Sequence, residues 1–196
     1  MAYYTEKDAR DAFARTQRGR TLRKSAREIL VEASEALSGT EKFDVFLSHC
    51  LADAEMIVGI KALLEEQGQT VYVDWVVDKQ LDRGNVTPET AAILRRRMQQ
   101  SASMLFATSV SSPNSKWMPW ELGYFDGLRQ GRIAVLPLVT SEGASFKGQE
   151  YLGLYPVVER LKAGERIKPF ITKGAGTRTY IGLEDFKVGT TTFKTY

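Results

Sequence analysis

The chain has 196 residues and a mass of 22.0 kDa, with 43% hydrophobic and 26% charged positions, which allows one well-cored domain with a short appendage. One cysteine, Cys50, and one histidine, His49, exclude an intrachain disulfide, a Cys/His zinc cluster and any Ser/His/Asp site not built on His49. A net charge of +3 and a pI near 8.9 are too mild to argue for nucleic acid, and no apolar run approaches the roughly 20 residues of a membrane span, so a cytoplasmic protein without a membrane partner is expected.

Residues 1–41 are rich in Arg, Ala, Glu and Ser with sparse apolar positions, and predict an amphipathic helix or two outside the main core. Their basic stripe (Arg15, Arg18, Arg20, Arg23, Lys24, Arg27) is followed directly by Glu28, Glu32 and Glu35, which favours a solvated face or an oligomer contact over a nucleic-acid or lipid surface. Ser38-Gly39-Thr40 then reads as a linker into a second unit, residues 42–196, whose core spans 42–140.

From Phe43 onward short apolar runs alternate with helical segments, the signature of a parallel sheet in an α/β domain. Phe43–Ser48 is a buried strand. Asp53 can cap a helix carrying Met56, Ile57, Ile60, Leu63 and Leu64, which Gly68 ends. A second strand covers 70–76, and a loop follows through Asp78, Leu81, Asp82 and Gly84. Thr87-Pro88-Glu89 opens a helix that runs toward Gln100. A third strand covers Ser103–Ser109, the loop Ser111-Ser112-Pro113-Asn114-Ser115 leads to a helix from Trp117 to Gln130, and Arg132–Val139 is a fourth strand. After Thr140 the pattern weakens. A fifth strand and irregular turns are expected there, with β-like runs at 166–172 and 179–183.

Open parallel sheets bind ligands beyond the carboxyl ends of their strands, which selects 48–53, 74–88 and 109–121. Neither a Walker nor a Rossmann glycine fingerprint is present. Trp117 and Glu121, four apart on a helix, project from one face. An aromatic plane beside a carboxylate suits a planar cationic leaving group. From the spacing alone, the plainer reading is a core or rim aromatic next to a solvated helix charge. Arg95-Arg96-Arg97 reads as a solvated face, and Cys50 as a small semi-buried residue.

Three segments in order, Phe43-Asp44-Val45-Phe46-Leu47-Ser48-His49 with Asp53, then Val71-Tyr72-Val73-Asp74, then Ser115-Lys116-Trp117-Met118-Pro119-Trp120-Glu121, resemble the boxes of the Toll/interleukin-1 receptor (TIR) domain in its bacterial form. The resemblance covers residues 42–140 and fades toward the C-terminus. It implies a three-layer, flavodoxin-like fold with a central parallel sheet of about five strands, preceded by the helical extension. It also implies cleavage of NAD, as substrate and with no bound cofactor or metal, at the nicotinamide–ribose bond. Glu121 is then the catalytic residue, and Trp117 holds the ring or ribose. Ser48, His49, Asp74 and Trp75 are the further substrate-binding candidates, His49 more as a loop-fixing residue than as a base.

The products implied are nicotinamide with ADP-ribose or a cyclic isomer, in bacterial antiphage or stress signalling, with a downstream effector as the receiver of the nucleotide. The segment Asp78–Thr87 corresponds to the family's BB loop, so Leu81, Asp82, Arg83 and Gly84 are candidates for self-association. The alternatives are a non-catalytic TIR interaction module, an N-deoxyribosyltransferase-like enzyme and, more distantly, a nucleic-acid module.

Overall fold

The computed structural model describes residues 2–18, 22–73, 87–163, 166–174 and 176–195. The elements follow in the order β1 (Tyr4–Thr5), α1 (Glu6–Thr16), α2 (Ala26–Glu35), β2 (Phe43–Ser48), α3 (Ala54–Glu65), β3 (Val71–Val73), α4 (Pro88–Gln99) and β4 (Ser101–Thr108). Then come α5 (Met118–Leu128), β5 (Ile133–Val139), β6 (Val157–Ala163), β7 (Arg166–Thr172), β8 (Thr179–Gly182), α6 (Leu183–Lys187) and β9 (Lys194–Thr195).

The sheet order is β3-β2-β4-β5-β6-β7-β8-β9, with β1 alongside β5. From β3 to β6 every neighbour is parallel, and β2 through β6 lie in the flavodoxin-like order, second-first-third-fourth-fifth. Side-chain alternation divides the core into two layers. Val45 and Leu47 of β2, Leu105 and Ala107 of β4, and Ala134 and Leu136 of β5 pack with α1, α2, α3 and α6. Phe46, Met104, Phe106, Ile133 and Val135 face α4 and α5. The result is a three-layer α/β domain.

Several local signals act as their chemistry dictates. Thr87 caps α4 by accepting the Thr90 amide, with Pro88 in the first turn. Gly68, at φ +81°, turns the chain out of α3 in a conformation that side chains disfavour.

Four sequence-based expectations are corrected. The described part of the first 41 residues does not stand outside the core. Tyr4, Ala9, Ala12, Ala26 and Leu30 belong to the same buried cluster as β2 and α3, and β1 pairs in parallel with β5 through Tyr4 and Leu138. Asp53 occupies the N-cap position of α3, but its side chain makes no capping bond. Arg97 is not solvated: it is 7% exposed, 3.5 Å from Glu41 and above the Tyr72 ring. After Thr140 the fifth parallel strand is β6, beginning at Val157. The runs at 166–172 and 179–183 are β7 and β8, in an antiparallel extension of the sheet.

The N-terminal segment is held by two contacts with different physics. Thr5 and Asp8 form a capping box at the start of α1, and Asp8 Oδ2 also lies 2.8 Å from Arg160 Nε of β6, an ion pair with both side chains buried. One turn further on, α1 lies directly against α3. A Cβ built on Gly59 would stand 1.8 Å from the Ala9 carbonyl oxygen, so only glycine allows this approach.

Gly59→Ala is therefore expected to lower stability by about 1–3 kcal/mol through overpacking, outweighing the gain of up to about 1 kcal/mol that alanine brings to a helix interior. Urea unfolding measures it. An unchanged or raised midpoint would show that α1 can withdraw without cost.

Candidate active site

The strand order reverses between β2 and β4, and a parallel sheet opens its ligand crevice at the carboxyl ends of such a pair. Ser48 is the last residue of β2. It shares the parity of Phe46, so its side chain faces the layer of α4 and α5. The start of α5 arrives there, and the Ser48 hydroxyl donates to Glu121 Oε2 at 2.5 Å. Both residues are buried, Glu121 at 2% exposure. A carboxylate so placed is costly without donors. Ser48 supplies one, and the first turn of α5 adds the positive end of the helix.

Trp117 stands at the N-cap of α5, and its carbonyl accepts the Glu121 amide at 2.9 Å. The indole is buried in the cluster that holds Phe46, Cys50 and Met118. Among the described residues its Nε1 has no hydrogen-bond partner. It packs edge-on against Trp120 at 5.4 Å between ring centroids, and Trp120 stacks on Tyr124 at 5.8 Å. The Arg95 guanidinium covers Trp120 at 5.3 Å, and Gln99 donates to the Tyr124 hydroxyl. Arg95 and Arg96 are exposed, as a solvated face requires, and the Arg95 guanidinium lies over the two rings. Through these contacts α4 fixes the aromatic face of α5 beside the carboxylate.

In the loop after β2, His49, Cys50 and Asp53 are buried, whereas Leu51 and Ala52 are exposed. His49 is 4% exposed, with Nδ1 3.3 Å from the Leu47 carbonyl oxygen. Cys50 is a buried free thiol. Asp53 is 4% exposed, and its Oδ2 accepts the Ser109 hydroxyl at 2.5 Å. Burial pushes the Asp53 carboxyl above its usual range, while hydrogen bonds from Ser109 and Ser111 pull it back. A cavity of about 440 Å³ opens at the carboxyl ends of β4 and β5, lined in part by Thr108, Ser109, Thr140, Phe146 and Lys147. No group of three or more His, Cys, Asp or Glu among the described residues could hold a metal ion.

Of the candidates from the sequence, Ser48, Trp117 and Glu121 come together at this end of the sheet, with His49 next to Ser48. Asp74, Trp75, Leu81, Asp82, Arg83 and Gly84 lie outside the described residues, as does the BB-like segment up to Val86. Sequence reasoning did not find the Ser48–Glu121 and Asp53–Ser109 bonds, nor the Trp120–Tyr124–Arg95 stack. The stack had a legible signal, because positions 117, 120 and 124 fall on one helical face.

No family profile matches the chain. It is 51% identical, over 137 residues, to ThsB' of Bacillus cereus (strain MSX-D12), a protein named as a 3' cyclic ADP-D-ribose synthase; the match covers 69% of this chain and 70% of that protein. The chain belongs to the bacterial TIR-domain family. A second relative, TIR2 of Cytobacillus dafuensis, is named as a cyclic ADP-D-ribose synthase. It is 30% identical over 92 residues, which are 46% of this chain and 24% of that longer protein. The TIR core of this chain thus carries Glu121 on the helix after its third parallel strand. No helix among the described residues is long and apolar enough to cross a membrane.

Ser48→Ala would leave the buried Glu121 carboxylate short of one donor, a loss of about 1–3 kcal/mol. The same change in a Glu121→Gln background is expected to cost less, because a neutral amide needs the hydroxyl less. Chemical denaturation of the four proteins measures this coupling. Equal costs in both backgrounds would mean that the hydroxyl does not serve the charge.

Proposed function

We propose that this protein is an NAD-cleaving enzyme in which Glu121 is the catalytic carboxylate. The observation that carries the reading is this buried glutamate, held by Ser48 at the switch point of a TIR sheet. The synthase names of both relatives support the substrate.

The chemistry asks little of the protein in proton transfer. The nicotinamide ring of NAD is a pyridinium that leaves as neutral nicotinamide, so no general acid is required, in contrast to ordinary two-carboxylate glycosidases. As the bond breaks, positive charge grows on the ribose in an oxocarbenium-like transition state. A fixed carboxylate in a water-poor site stabilises that charge without reorganising. The Ser48 hydroxyl keeps Glu121 in place, and the Trp117 indole, wedged edge-on against Trp120, supplies a rigid apolar wall for the substrate.

Two acceptors balance the reaction. Water captures the ribosyl cation to give ADP-ribose and a proton. A hydroxyl of the same dinucleotide captures it to give a cyclic ADP-ribose and a proton. We infer cyclisation, supported by the names of the relatives. A cyclic nucleotide suits signalling to a downstream effector. Self-association through the segment Asp78–Thr87 belongs to the same reading, since a neighbouring copy would exclude water from an open strand-end crevice.

Incubation with NAD, followed by chromatography and mass spectrometry, is expected to yield nicotinamide and a cyclic ADP-ribose. Glu121→Gln is expected to lower kcat by at least about 100- to 1000-fold, on the scale of losing a fixed electrostatic group, with the fold intact by circular dichroism. Near-normal turnover by that variant would remove Glu121 from the chemistry, and ADP-ribose as the sole nucleotide product would make the enzyme a hydrolase. In a dilution series sized by light scattering, specific activity is expected to rise with concentration and to fall in Leu81→Glu. Constant specific activity from a monomer would remove the assembly requirement.

A further inference from the structure

Asp53 has a place in the structure that its position on α3 does not explain. It stands at the N-cap and caps nothing. Its carboxylate reaches instead across the switch point, from the loop after β2 to the loop after β4, where it accepts the Ser109 hydroxyl at 2.5 Å. Ser109 is the first member of a hydrogen-bonded series. Its Oγ accepts the Ser111 amide at 3.0 Å, and its own amide donates to Ser112 Oγ at 2.8 Å. The Ser112 carbonyl accepts the Ser115 amide at 3.0 Å, and Ser115 Oγ accepts the Met118 amide at 3.3 Å. Met118 is the first residue of α5, three before Glu121.

The direction of these bonds matters. A hydroxyl can donate or accept, whereas an ionised carboxylate only accepts. Asp53 therefore makes the Ser109 hydroxyl its donor and leaves the oxygen lone pairs to the Ser111 amide. Asp53 is 4% exposed, and burying a carboxylate is unfavourable unless its bonds compensate. Glu6 and Arg10 of α1 face it with opposite charges, and burial raises its pKa.

We propose that Asp53 is a positioning residue for Glu121: it fixes the loop 109–117 and, through it, the start of the catalytic helix. The six residues Ser48–Asp53 then hold that helix twice, Ser48 at Glu121 itself and Asp53 at the loop leading into it. The inference rests on the assignment of Glu121 as the catalytic carboxylate.

The test uses Asp53→Ala, Ser109→Ala, the double variant, and the conservative Asp53→Asn and Ser109→Thr in the full chain. The readouts are kcat and KM for NAD, and hydrogen exchange by mass spectrometry. Each alanine variant is expected to lower kcat about 10- to 100-fold, the scale of a small misplacement of reacting groups, with KM changed less than about threefold. The loss in the double variant should fall well short of the product of the two single losses, because the two residues share the Asp53–Ser109 bond. Ser109→Thr should keep most of the activity, and Asp53→Asn, which retains an acceptor oxygen, should fall between wild type and alanine.

Exchange should rise across 109–121 and stay unchanged in β5. Unchanged exchange across 109–121, independent losses that multiply in the double variant, or a loss confined to KM would each overturn the proposal. If Asp53→Ala does not fold, Ser109→Ala and Asp53→Asn carry the same comparison. Wild-type protein that leaves NAD intact would refute the functional reading, and the exchange measurement would still decide whether Asp53 holds the start of α5.

Discussion

A carboxylate at 2% exposure cannot be left to itself in a protein interior, and the bond from Ser48 to Glu121 is the constraint around which this end of the molecule is organised. For that bond to form, the end of β2 must lie under the start of α5. This requires β2 to sit between β3 and β4, and it requires Ser48 to share the facing of Phe46 toward α4 and α5. Strand order, side-chain parity and the helix start at Met118 therefore converge on one pair of oxygen atoms. The stack of Arg95, Trp120 and Tyr124 then stops α5 from rolling on α4.

The parts of the fold legible in the sequence are those decided over a few residues. Phe43–Ser48 is strand because Val45–Ser48 bury both faces, and Thr87-Pro88 begins a helix because cap and proline are local chemistry. What escaped depends on partners far along the chain. The start of the chain looked unfit for a core because it has few large apolar residues. It enters one through small ones, Ala9 against Gly59 and Ala12 in the same buried cluster, and through Asp8, whose charge is answered 152 positions later by Arg160. Arg160 also hid β6: it and its neighbour Glu159 are buried at 2% and 5% exposure, and two adjacent charges inside a strand interrupt the hydrophobic pattern.

The candidate site divides in the same way. Trp117 and Glu121 are legible because both lie on one short stretch of helix. Ser48 could be located at a strand end from sequence, but not given Glu121 as its partner, since 73 residues separate them. Asp53 was misread for a physical reason. An aspartate before a helix is among the commonest of caps, and the loop after β4, bringing Ser109 and Ser111, gives its carboxylate other partners.

The aromatic pair beside Glu121 gives the molecule an optical property. Of the three tryptophans, Trp117 and Trp120 are in edge-to-face contact, with Trp120 stacked in turn on Tyr124. Transition dipoles held this close and at a fixed angle couple, so these rings are poised to contribute strongly to the near-ultraviolet dichroism of the protein. Because the two indoles straddle the first turn of α5, that signal is a native chromophore placed at the carboxylate, and it follows the pose of the helix without an attached label.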